Sequence, residues 1–228
     1  MSSKTGDCTE QSFLKDVAKH QMTVLRDDGV HRHIQFKAPG TRCYQFDIIT
    51  WPGFLCYCGD MGTYVFSRLE DMFEFFRTDR ESLHRHPGLT LGINLGYWCE
   101  KLQAIDRSDG AEEFSKGKCI QAVNEHRVGW IKEDCRDMTK AERRELWQAV
   151  DDEVLCRADD GEHEFCQAIH DFTHRVGGRH FEFQDFFDCR LTEYTHRFVW
   201  CCYALAWGIQ KYDDTRGTVS NAVERALA

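Results

Sequence analysis

The sequence predicts an α+β fold: a small antiparallel β-meander packed with several helices, followed by a helical C-terminal half. Three observations predict it. Between residues 42 and 66, apolar runs of strand length are cut by Pro-Gly and by Gly-Asp-Met-Gly, which are turn sequences. Beyond about residue 115 the apolar spacing becomes helical, with a Thr-x-x-Glu box at Thr139 and Glu142. A hydrophobic content of 42% over 228 residues is enough for one large core or two small ones. The 3 prolines form no linker, so residues 1–228 read as one α+β domain. A subdivision near 108–115 is the alternative, with a β-rich part at 1–110 and a mostly helical part at 111–228.

From the N-terminus, residues 9–29 read as a helix, with Leu14, Ala18, Met22 and Leu25 close to one face and Gly29 as the stop. "VHRHIQF" then partly alternates, with Val30, Ile34 and Phe36 on one side and His31, His33 and Gln35 on the other, as a half-buried strand does. "APGT" is a turn. "CYQFDIITW", "FLCYC" and "TYVF" are three strands joined by "PG" and "GDMG". Ser67 and Glu70 form an S-x-x-E box ahead of Leu69, Met72, Phe73 and Phe76, which recur at helical spacing; "HPG" at 86–88 ends that helix. "LTLGINLGYW" reads as a strand. Helices follow at 115–134, 139–155 and 162–176, then a strand from about His180 and a last helix from Thr192 to Tyr212.

Charge narrows the classes of partner. The net charge is −9, and residues 134–188 hold fifteen Asp and Glu against seven Lys and Arg. A chain of this balance disfavours direct nucleic-acid binding through a basic face. It suits a basic protein partner, with Asp151, Asp152, Glu153, Asp159, Asp160 and Glu162 as the first surface to consider; ordinary solvated helix faces are the plainer alternative. Self-association into a homo-oligomer is left open. No run reaches the roughly 18 apolar residues a membrane span needs, and "MSSKTGDCTEQSF" lacks the pattern of a secretory signal. A cytoplasmic setting follows, and there the 12 cysteines are expected to be reduced.

Candidate chemistry is sparse. His163, Cys166, His170 and His174, placed on one helix, fall at about 0, 300, 340 and 20° on the wheel, one narrow face that could share zinc with a remote ligand such as His180. A polar histidine-rich face is the plainer reading, and no cofactor is otherwise expected. His31 and His33 lie two apart on a strand, a weak chelating pair. His84 and His86 suit a helix C-terminus. Cys56 and Cys58 share one face of a strand and read as core thiols. Asp60, on a tight turn, could act as a base or metal ligand, although Gly-Asp-x-Gly is more simply turn chemistry. Phosphate-loop, nucleophile-elbow, dinucleotide and H-E-x-x-H motifs are absent from the sequence.

The string "FDIITWPGFLCYCGDMGTYVFSRLEDMFEFFR", preceded by "HRHIQFKAPGT" and followed by "NLGYWCEKL" and "FVWCCYALAWGIQKYD", resembles a family of proteins encoded by tailed phages and prophages of Gram-negative bacteria. The resemblance runs from the first helix to Tyr212 and carries over no catalytic residue. It implies an accessory protein made in the cytoplasm of the infected host cell, of the kind that binds and inhibits a host antiviral defence complex. A metal- or cysteine-dependent phage enzyme acting on nucleotides or nucleic acid is the alternative.

Overall fold

The computed structural model describes residues 8–77, 90–107, 110–135 and 137–227. It is an α+β protein whose sheet begins with a strand the sequence hides. Helix α1 is short, Glu10–Asp16, opened by a reciprocal capping box between Thr9 and Ser12. The chain then becomes strand β1, Gln21–Asp28, where a continuing helix was expected. β1 pairs with β2, His31–Lys37, and Asp28 opposes His31. Gly29 is therefore the first residue of a two-residue hairpin turn, at φ 59°, and not a helix stop.

Four further strands extend the sheet in chain order: β3 Phe46–Trp51, β4 Phe54–Gly59, β5 Gly62–Ser67 and β6 Leu102–Ile105. The meander read from "WPGFLCYCGDMGTYVF" is present, with Trp51 opposite Phe54 across Pro-Gly and Gly59 opposite Gly62 across Asp60 and Met61. Gly59 could not be another residue. A Cβ there would lie 2.3 Å from the Gln45 carbonyl and 2.7 Å from Phe46 Cα.

Helix α2 is Met72–Arg77, shorter than the S-x-x-E box implied. Ser67 ends β5 instead, and Asp71 accepts the Phe73 N–H at 3.0 Å as the actual cap. The "HPG" expected to end this helix lies outside the described residues, as do His84 and His86. The "LTLGINLGYW" segment is not a strand: Asn94 caps helix α3, Leu95–Cys99. Next come β7 Glu112–Phe114, α4 Lys116–Asp134, α5 Lys140–Glu153, a 3-10 turn at Leu155–Asp159 and α6 Glu162–Asp171. The chain closes with β8 Thr173–Val176, β9 Arg179–Glu182, β10 Thr192–Tyr194 and α7 His196–Leu227. α7 begins four residues later than expected, because Thr192–Tyr194 pairs with β7. Thr195 then accepts the Phe198 N–H as cap.

The chain forms two compact units. One comprises residues 1–111 with 194–228, and the other residues 112–193. In the first, α7 and α1 cover one face of the sheet. Ile34, Phe36, Phe46, Ile48, Leu55, Tyr57 and Phe66 are fully buried there with Phe13, Trp200 and Leu205. Phe46 sits edge-on to Trp200 at 5.8 Å, and Phe13 does so at 5.0 Å. In the second unit, α4, α5, α6 and the β8–β9 hairpin enclose a separate core around Leu146, Val150, Phe165, Ile169, Phe181 and Phe186. Among the described residues no helix is long and apolar enough to cross a membrane.

Candidate functional site

The acidic segment lies in the second unit, and local structure divides its carboxylates into two groups. The first group is engaged internally. Arg127 on α4 is 2% exposed and stacks 4.3 Å over Trp147 of α5. Its guanidinium donates to Asp151 at 2.8 Å and to the Trp147 carbonyl at 3.2 Å. Asp151 therefore neutralises a buried cation, where an unpaired charge would be costly. Asp159 accepts Lys116 Nζ at 2.5 Å, and Asp160 accepts Arg157 at 3.3 Å.

The second group borders a cleft of about 500 Å³ lined by Glu153, Arg157, His163, Glu164, Gln167 and Asp171. The end of α5, the 3-10 turn and one face of α6 build it. Gly161, at φ 126°, lets the chain reverse from that turn into α6. Glu153 and Glu164 make no ion pair among the described residues, and Asp171 accepts only the Gln167 amide, at 2.7 Å. Arg157 is already shared with Asp160. The cleft mouth therefore presents three carboxylates against one committed cation. Asp152 is turned to Gln148, which donates to it at 2.8 Å, and Glu162 is exposed at the start of α6.

Three members of the expected histidine and cysteine stripe, His163, Cys166 and His170, lie on α6, but the helix stops before the fourth. Phe172 leaves α6 with φ −71° and ψ 121°, and His174 lies on β8 with its Nε2 3.5 Å from Glu145. His163 faces the first cleft. His170 lines another of about 410 Å³, beside Thr173 and Asp185. His180 lines a third, of about 540 Å³, with His126, Trp130 and Glu133. Cys166 packs against the core, where burial and then Glu162 push its thiol up, away from the thiolate a metal requires. Among the described residues, no group of three or more His, Cys, Asp or Glu side chains is placed to hold a metal ion. The missed signal was the Gly177–Gly178 pair between "THRV" and "RHFE", which makes a tight hairpin with both glycines at positive φ.

Asp60 is committed to backbone. Its carboxylate accepts the Tyr44 N–H at 2.9 Å, and its own N–H donates to the Gln45 carbonyl at 2.9 Å. Tyr44 holds φ 58°, a left-handed conformation costly for a tyrosine, and it stacks on Trp200 at 5.6 Å. Asp60 thus stabilises a strained corner between β2 and β3.

One feature had no counterpart in the sequence reading, and a second corrects it. Arg32, 6% exposed, makes a bidentate pair with Asp71 at 2.8 Å on both arms and lies 4.5 Å over the Phe73 ring. Cys56 and Cys58 are not core thiols. Leu55 and Tyr57 take the buried positions of β4, so the cysteines fall on the opposite, half-exposed face. No family model matches the chain, and no curated protein or solved structure matches it either.

Proposed function

We propose that this chain is a binding protein without catalytic activity, a phage-encoded inhibitor that docks by direct contact on a basic surface of a host antiviral defence complex. The observation that carries this reading is the acidic cleft of the second unit. There Glu153, Glu164 and Asp171 line the cleft without an ion pair among the described residues. Uncompensated carboxylates at a concave surface attract basic partners and raise association rates. The phage resemblance supplies the setting, since nuclease complexes of host defence present basic nucleic-acid channels. Asp151 is left out of the proposed docking surface because it holds Arg127.

The test is affinity capture from a host strain carrying several defence systems, comparing wild type with Glu153→Gln/Glu164→Gln/Asp171→Asn. Mass spectrometry is expected to find one multisubunit complex with wild type, depleted about tenfold with the variant if each of the three lost charges contributes about 0.5 kcal/mol. Equal recovery with both proteins would remove the cleft from the interface, and recovery of no complex from any such strain would remove the inhibitor reading.

A further inference from the structure

The outward face of the sheet carries two thiols that the acidic cleft does not involve. Residues two apart on a strand point the same way, so Cys56 and Cys58 stand side by side on β4. Both are half-exposed, while Leu55 and Tyr57 between and beside them are fully buried. The Cys56 thiol donates to the Tyr57 carbonyl at 3.7 Å. Asp47 of β3 is in register with Cys58, and Ile49 is in register with Cys56. His33 of β2 reaches Asp47, Nε2 to Oδ2, at 3.5 Å. Asp47 Oδ1 is buried without a hydrogen-bond partner among the described residues.

This geometry selects among the uses of a thiol pair. Alternate strand residues stand about 6.7 Å apart at Cα, the far limit of what a disulfide spans, so closing one would distort the strand. Zinc takes four ligands in a structural site and three plus water in a catalytic one, and no set of three ligating side chains converges among the described residues. A soft monovalent d10 cation differs, because it favours thiolates and is satisfied by two of them.

We propose that Cys56 and Cys58 form a two-coordinate site for Cu(I) on the outward face of the sheet, with the Asp47 carboxylate drawing cations to it. Binding displaces both thiol protons: Cu⁺ and two S–H groups give a bis-thiolate complex and two H⁺, with no change of oxidation state. The site belongs to the first unit and the acidic cleft to the second, and neither proposal depends on the other.

The experiment is anaerobic titration of the reduced full chain with Cu(I) against a chromogenic Cu(I) chelator. Wild type and Cys43→Ser/Cys156→Ser/Cys189→Ser, which removes the exposed thiols, are expected to retain one tightly held equivalent. Cys56→Ser and Cys58→Ser should each lose it. A folding-independent readout on wild type accompanies this: N-ethylmaleimide labelling, mapped by peptide mass, should show Cu(I) protecting Cys56 and Cys58 together while Cys43 stays reactive. An unchanged stoichiometry in the Cys56 and Cys58 variants, or protection that spares these two residues, would overturn the proposal.

Discussion

At the scale of single residues, the first unit depends on charges placed where water is scarce. Arg32 lies over the rings of Phe73 and Tyr212, and Asp71 keeps it neutralised while also capping α2. Burial raises the Asp71 carboxyl, but the Arg32 guanidinium and the Phe73 N–H outweigh it, and the group is held below the usual carboxylate range. A carboxyl depressed in the folded state adds stability above its unfolded value, about pH 4. That stability is lost as pH falls through the folded value. Asp71→Asn is expected to cost about 3 kcal/mol in urea denaturation at pH 7, since it leaves a buried guanidinium unpaired. The gap to wild type should narrow towards pH 3; a gap that is small at pH 7, or that widens in acid, would contradict this role. None of this was legible in the sequence, where Arg32 is one residue in an alternating "HRHIQF" and its partner lies 39 positions away.

At the scale of elements, legibility followed the strength of local signals. The β3–β4–β5 meander could be read because alternation and two glycine-bearing turns agree on one register. α4 and α5 could be read from their helical spacing and, for α5, from the box at Thr139 and Glu142. β1 could not, because an edge strand exposed along nearly all its length carries no alternation, and Leu14, Ala18, Met22 and Leu25 fall by chance at helical intervals. α6 ends earlier than its histidine spacing implies, because Phe172 takes an extended conformation and Gly177–Gly178 close a hairpin. Close approach between elements also leaves little trace in sequence. Gly208 on α7 lies against the sheet, where a Cβ would meet Ile48 Cδ1 at 2.8 Å and the Phe36 ring at 3.1 Å. Gly208→Ala should therefore destabilise by about 1–3 kcal/mol through overpacking, despite the better helix propensity of alanine. A thermal melt at or above the wild-type midpoint would show that the helix can shift outward without cost.

At the scale of the whole molecule, the two units divide the chemistry. Residues 1–111 with 194–228 build a sheet and a long helix around an aromatic core, with the dithiol on the outward face. Residues 112–193 carry the acidic cleft on a small core of their own. The excess of negative charge in 134–188 was plain from composition, but its pattern was not. Only side-chain geometry separates Asp151, Asp159 and Asp160, which serve Arg127, Lys116 and Arg157, from Glu153, Glu164 and Asp171, which remain outward. Long-range attraction by those three should act mainly on the encounter with a basic partner and be screened by salt. The most direct measurement is surface plasmon resonance of the captured complex on wild type and on Glu153→Gln/Glu164→Gln/Asp171→Asn across a range of ionic strength. For wild type, the association rate should fall steeply with salt. For the variant it should be at least about tenfold slower at low salt and nearly salt-independent. Matching rates and matching salt dependence in the two proteins would contradict docking through the acidic cleft.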